Sequence, residues 1–190
     1  LNEVTETPNR KAIIAEVEGG RLTSLSTRSL NQPLGPHIQV VHSLGPLVQE
    51  ESFALLMAVD GSDQVRKNRI NALGFHDQIP AAAREIESAL GADSSEEVRK
   101  SAAYALARHQ SVEALNRLTR TALRDASVAV ARAAAYAIGT IEAEASVEAL
   151  RGVLDGSDRR EVRKASAHAL GNLGLESARA LLIHLIRTEQ

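Results

Sequence analysis

Four stretches of the chain share one pattern of apolar and polar positions. They begin at Val65, Val98, Val130 and Val162, valines that stand 33, 32 and 32 residues apart. With each valine as position 0, apolar residues recur at positions 0, 4, 5 and 8, one face of an α-helix. Arg69 alone puts a charge at position 4, and position 8 is Leu73, Leu106, Ile138 or Leu170. Position 7 is always alanine, small enough for close helix approach. Glycine at position 9 in three of the four (Gly74, Gly139, Gly171) predicts a left-handed helix stop. Ser94 with Glu97, Ser127, and Asp158 with Glu161 are the capping candidates. Position 5, with Ala103 and Ala135, is expected in the middle of the buried face. Position 3, with Ala133, is expected outside it.

A second helix follows each first one, at about residues 80–90, 111–123, 145–154 and 176–187. Their apolar stripes include Leu115, Leu118, Leu150, Val153, Leu154, Leu181 and Leu185, with His184 in the same column as Leu118 and Val153. Residues 33–44 and 46–59 read as a fifth, degenerate pair, as an end cap should, because one of its faces meets water. The first 32 residues lie outside the repeats. Within them, residues 12–18 and 21–25 flank Gly19-Gly20, a hairpin signal that sets Glu18 opposite Arg21 and Val17 opposite Leu22. A lone hairpin is marginal in water, so the segment reads either as a hairpin laid on the helices or as an extended leader. The expected organisation is a segment of residues 1–32 and a repeat domain of residues 33–190.

Composition sharpens this division. Of 31 alanines, 29 follow residue 50, whereas four of the five prolines precede residue 47; alanine is the best helix former and proline the worst. The 22 basic and 24 acidic residues nearly cancel, which argues against a general nucleic-acid or polybasic membrane binder. No apolar run approaches the roughly 18 residues of a membrane-spanning helix. Cysteine is absent, which excludes disulfides and thiolate chemistry. The chain opens at Leu1 without a signal segment, as a mature product or a fragment would. The expectation is a soluble protein, with the cytoplasm favoured.

Aspartate, then Val-Arg-Lys, then Ala-Ala-x-Ala-Leu-Gly is similar to the short HEAT-like repeats of bacteria, often called phycobilisome-lyase-type repeats after the bilin lyases that contain them. The resemblance covers residues 60–190 well and 33–59 loosely. It implies an all-α, right-handed α-solenoid of about five helix pairs, with first helices on the convex side and second helices on the concave side. It also implies a ladder in which aspartates ahead of the first helices (Asp60, Asp93, Asp125, Asp155) pair with position-1 arginines (Arg66, Arg99, Arg163). Ala131 interrupts that ladder, leaving Asp125 short of one partner. Members of the family are mostly protein-binding scaffolds.

Candidate chemistry is sparse. The six histidines form no His-x-x-x-His pair and no His-Glu dipeptide, and there is no Gly-x-Ser-x-Gly elbow or glycine-rich phosphate loop. No catalytic residue, metal site or cofactor is expected. Two surfaces remain. Position 2 is always basic (Lys67, Lys100, Arg132, Lys164), and position 6 is Asn71, Tyr104, Tyr136 or His168. Stacked first helices would align these as a basic-aromatic ridge on the convex side. The concave side offers Arg84, Asn116, Arg117, Arg120 and Arg151, with Glu87, Glu113 and Glu148 among them. Extended concave faces are what solenoids use for binding. The expected function is non-catalytic binding of a protein or peptide, by a monomer or a subunit of a hetero-complex. The alternative is a bilin lyase subunit or chromophore-handling protein.

Overall fold

The computed structural model describes residues 11–18, 21–29 and 47–188. Among these, β1 (Lys11–Glu18) and β2 (Arg21–Ser29) form an antiparallel hairpin. Nine helices follow: α1 (Gln49–Met57), α2 (Asp63–Leu73), α3 (Pro80–Ala92), α4 (Glu96–Ala107), α5 (Val112–Arg124), α6 (Val128–Ile138), α7 (Glu144–Gly156), α8 (Arg160–Asn172) and α9 (Glu176–Thr188). The helix expected within 33–44 and the boundary at 32/33 lie outside the described residues.

The helices build an all-α solenoid in two layers. First helices stack on first helices, in the order α2, α4, α6, α8, and α3, α5 and α7 line the other side with α9 at the end. Each second helix packs more broadly on the first helix that follows it than on the one before. The packing unit is therefore offset by one helix from the sequence repeat. Position 8 lies at the centre: Leu73, Leu106, Ile138 and Leu170 are each 1% exposed or less. Burying such a side chain is worth about 1.5–3 kcal/mol.

The first helices are buried on more sides than the apolar pattern suggests. Positions 0, 4, 5, 7 and 8 point inward, but so does position 3, where Ser101, Ala133 and Ala165 are all buried. The expectation that Ala133 lies outside is thus corrected. A first helix has a neighbour before it, a neighbour after it and second helices behind it, so only positions 2 and 6 face water. The glycines at position 9 also serve a different purpose from the one expected. Gly74 and Gly139 have φ of −62° and −66°, ordinary right-handed values. A Cβ on Gly74 would meet the Ala105 Cα at 3.1 Å, and one on Gly139 would meet the Ala169 Cβ at 2.8 Å. Glycine there allows close approach to the position-7 alanine of the next repeat, most tightly at Gly139; α4 has Ala107 in the same place.

Capping departs from expectation at two of three helices. Ser127 caps α6 by accepting from the Ala129 and Val130 amides. The N-cap of α4 is Ser95, not Ser94, and that of α8 is Arg159, not Asp158; neither side chain accepts a cap hydrogen bond.

The hairpin pairs Glu18 with Arg21 and Val17 with Leu22, in the register that a Gly-Gly turn dictates, and a bulge leaves Thr23 without an opposite residue. Strand β2 lies on α2. Leu25 is 1% exposed within the core, and the Asn68 side-chain amide donates to its carbonyl. The hairpin thus covers the side of α2 that in later repeats receives the preceding first helix.

Helix α1 is fastened through His76. Its Nδ1 lies 3.1 Å from the Ala72 carbonyl, which can only accept, so Nδ1 carries the hydrogen and Nε2 accepts from the Ser52 hydroxyl at 2.6 Å. Burial pushes the His76 pKa below its ordinary value, and burial does the same to His109. The unfolded chain therefore binds these protons more tightly than the folded one. Stability is complete above about pH 6.5 and falls as the pH drops below it. Urea denaturation at pH 7.5 and pH 5 is expected to show this loss, and the slope should flatten in a His76→Gln, His109→Gln variant.

Position 3 supplies a second test. Ala133→Asp and Ala135→Asp should each destabilise by more than about 3 kcal/mol, because each buries a charge without a partner. Arg132→Asp, on the exposed position 2 between them, should cost less than about 1 kcal/mol. Comparable thermal midpoints for Ala133→Asp and Arg132→Asp would contradict this packing.

Candidate functional site

Charged groups divide into those that tie repeats together and those that face outward. The ties come first, because they remove residues from the binding inventory. Arg66 on α2 donates to Asp93 through Nε at 2.9 Å and Nη2 at 3.0 Å. Arg99 on α4 donates to Asp125 at 3.3 and 3.4 Å. Each aspartate also accepts from the amide two residues on, Ser95 or Ser127, at 2.8 Å, which shapes the start of the next helix. The Arg66 hydrogen bonds hold the Asp93 carboxyl below its ordinary pKa.

The ladder differs from expectation beyond Asp125. Asp125 is not short of a partner, because its arginine comes from the preceding repeat. Five residues ahead of Val162 stands Ser157, not Asp155. Asp155 is exposed and lies 3.8 Å from Arg151 on its own helix. Asp60 is exposed and, among the described residues, accepts from the Gly61 amide rather than from a position-1 arginine. Ala131 and Ser157 therefore replace arginine and aspartate together, so this rung buries neither charge without the other. Ser157 keeps the turn by accepting from the Arg159 amide at 3.3 Å. The inter-repeat tie passes to Arg159, which donates to the carbonyls of Asp125 (2.6 Å), Ala122 (3.0 Å) and Leu123 (3.0 Å) at the C-terminal end of α5. Guanidinium there satisfies free carbonyls and complements the helix dipole. The signal for Arg159 was present in the repeat alignment: it stands where the other three repeats have Ser62, Ser95 and Ser127.

On the first-helix side, positions 2 and 6 do line up. Lys100 sits 2.7 Å from Glu97, and Lys67 lies close enough to stabilise the same carboxylate. Tyr104 is 39% exposed, and partial burial raises its hydroxyl pKa, with Tyr136, Lys100 and Arg132 around it. Tyr136 meets His168 edge-on at 5.7 Å, and His168 contacts Asn172. Lys164 is exposed and Asn71 half-buried.

On the second-helix side, Arg84, Asn116, Arg120 and Arg151 are exposed, with Glu113 and Glu148 among them. Arg117 is different. It is half-buried, donates to the Glu87 carbonyl of α3 at 3.4 Å, and lies over Gly91, where a Cβ would stand 2.4 Å from its Nη2. It joins α3 to α5 and is withdrawn from the binding candidates. His184 is exposed, not packed in the core. It lines a groove of about 450 Å³ between α7 and α9 with Val147, Glu148, Arg151, Ser177, Ala180 and Leu181. Among the described residues no three His, Asp or Glu side chains cluster to hold a metal, and no helix is long and apolar enough to cross a membrane.

The model for HEAT repeats matches residues 50–126 and 120–190. The chain belongs to the HEAT repeat family. No curated protein matches it. Among solved structures, this HEAT-repeat chain is similar to one in the complex of CpcE and CpcF of phycocyanin lyase from Nostoc sp. PCC7120. The two share 23% identity and a TM-score of 0.50, over 72% of this chain and 57% of the other. The present chain thus spans somewhat more than half the length of that neighbour, and the likeness is one of fold.

The replaced rung makes a double-substitution prediction. Ala131→Arg alone should destabilise by about 2–4 kcal/mol, because it places a guanidinium at a fully buried site without a carboxylate. Adding Ser157→Asp should recover a large part of that loss. Thermal denaturation of the two single variants and the double variant measures the coupling.

Proposed function

We propose that this protein is a non-catalytic scaffold that binds a protein or peptide along its second-helix surface, as one subunit of a larger assembly. The observation that carries the reading is the row of exposed polar side chains on successive second helices: Arg84 on α3, Asn116 and Arg120 on α5, and Arg151 on α7. They are interspersed with Glu113 and Glu148, which suits a mixed-charge polypeptide better than a polyanion. Rigid stacked helices display such groups at fixed spacing, and one ligand can meet several at once. Assembly is supported by the fold's occurrence in a complex of two named chains. A cytoplasmic location fits the reading.

A second reading is the handling of a bilin chromophore, favoured by the phycocyanin lyase named for the neighbouring structure and by the α7–α9 groove. There the Arg151 cation stands beside Val147 and Leu181, a combination suited to a largely apolar ligand bearing carboxylates. The chain has only four aromatic side chains, which weighs against a groove built for a tetrapyrrole. An absorbance shift on mixing with a bilin would favour this second reading.

The test of the first reading begins with a pull-down from native extract, followed by affinity measurement with the partner recovered. Arg120→Glu with Arg151→Glu should weaken binding at least tenfold, or about 1.4 kcal/mol, with an unchanged thermal midpoint. Tyr104→Ala with Tyr136→Ala should weaken it less. The reverse order would move the site to the first-helix ridge.

A further inference from the structure

The position-2 cations differ in what surrounds them. One turn before Lys67 and Lys100 stand acids, Asp63 in α2 and Glu96 with Glu97 in α4. In α6 the same places hold Val128 and Ala129, so Arg132 has no carboxylate on the turn before it. Helix α6 packs between α4 and α8, so described helices bound its outward face on both sides. The acids at the starts of those two helices are Glu96, Glu97 and Glu161. Glu96 accepts from the Ser127 hydroxyl at 2.5 Å, Glu97 takes Lys100 at 2.7 Å, and none of the three forms an ion pair with Arg132. Arg132 is exposed, and among the described residues its guanidinium has no acceptor.

The groups around Arg132 are suited to capture. Both tyrosines of the chain are here, Tyr104 on α4 and Tyr136 on α6. Tyr104 is 39% exposed and stands close enough to Tyr136, Lys100 and Arg132 for all three to act on its hydroxyl. Neither tyrosine hydroxyl has an acceptor among the described residues. Val128, one turn before Arg132, exposes 38% of its apolar side chain. Tyrosine and arginine are typical interface anchors. Val128, Arg132 and Tyr136 follow one another four residues apart, about 6 Å along α6. Alternate side chains on one side of an extended polypeptide stand about 6.6 Å apart, nearly the same spacing.

We propose that the outward face of α6 binds an extended polypeptide segment in which an apolar residue, a glutamate or aspartate and a second apolar residue occupy alternate positions. The first apolar side chain rests on Val128. Arg132 and the Tyr104 hydroxyl donate to the carboxylate, and the second apolar side chain packs on the Tyr136 ring. Charge complementarity selects this occupant: one uncompensated guanidinium matches one carboxylate, whereas a polyanion calls for a run of free cations. The surface is separate from the second-helix face, so one scaffold holds two ligands.

The experiment uses the full chain and a fluorescein-labelled peptide, Gly-Ser-Leu-Ser-Glu-Ser-Leu-Ser-Gly, followed by fluorescence anisotropy. Saturable binding is expected below about 1 mM. Arg132→Glu should weaken it about tenfold with an unchanged thermal midpoint, because the side chain is exposed. A peptide with lysine in place of glutamate should then bind this variant better than it binds the parent chain. Tyr104→Phe, which keeps the ring and removes the hydroxyl, should weaken binding about threefold. Moving the glutamate by one place should lose the affinity, and Arg120→Glu with Arg151→Glu should leave it unchanged. Four results would overturn the proposal. They are no saturation at about 1 mM peptide; affinity indifferent to Arg132→Glu; loss of binding in the Arg120, Arg151 variant, which puts the peptide on the second helices; and displacement by oligouridine at lower concentration than by unlabelled peptide, which marks a nucleic-acid surface. If the peptide fails to bind while a native partner still responds to Arg120→Glu with Arg151→Glu, the first-helix site alone is refuted and the scaffold reading stands.

Discussion

Stacking of first helices demands small side chains wherever two backbones meet. Position 9 of one helix faces the position-7 alanine of the next: a carbon added to Gly139 would stand 2.8 Å from the Ala169 Cβ, one added to Gly74 would press on Ala105 at 3.1 Å, and α4 has room for nothing larger than Ala107. Such close approach leaves no room for water, so every neighbouring position is drawn into the core, position 3 included. Only positions 2 and 6 escape. The surface chemistry of this side of the molecule is therefore confined to two columns, one basic and one mostly aromatic, by the way the interior packs.

The same closeness governs the charged groups. A position-1 arginine stands at the rim of the helix–helix contact, where it needs a carboxylate within reach. Two junctions supply one. The third removes both partners together and moves the tie to Arg159, whose three carbonyl acceptors lie in the preceding repeat. A ladder read residue by residue looks broken at Ala131. Read as pairs, it shows a rung exchanged for an apolar contact plus a substitute clamp.

Helix positions, the fold class and the hairpin register were legible in the sequence because each depends on local periodicity or turn chemistry. The 3.6-residue pattern marks first helices, and Gly19-Gly20 sets the two pairs of β1 and β2 nearest the turn, beyond which the bulge at Thr23 shifts the pairing. Features that depend on a neighbour one repeat away were harder to read. Ala133 looked outward because a single apolar stripe describes a helix with one buried face, whereas these have three. Asp155 looks like a ladder member because the aspartate column of that repeat holds Ser157 and Asp155 stands only two residues before it. Arg117 was read as exposed because nothing in its own helix reveals the bare backbone of Gly91 opposite. The ridge residues were identifiable since positions 2 and 6 repeat visibly.

The exchanged rung also makes the solenoid unequal along its length. The α2–α4 and α4–α6 junctions each contain a largely buried ion pair, which salt screens little but which needs both partners in place. Among the described residues the α6–α8 junction has none: Ala131 and Ser157 are both buried without formal charge, and Arg159 bonds to carbonyl dipoles. Losing one partner therefore strands a charge in the first half of the array, a liability that the exchanged rung has removed from the third junction. A nearly uniform stack thus carries unequal tolerance of single substitutions from one end to the other.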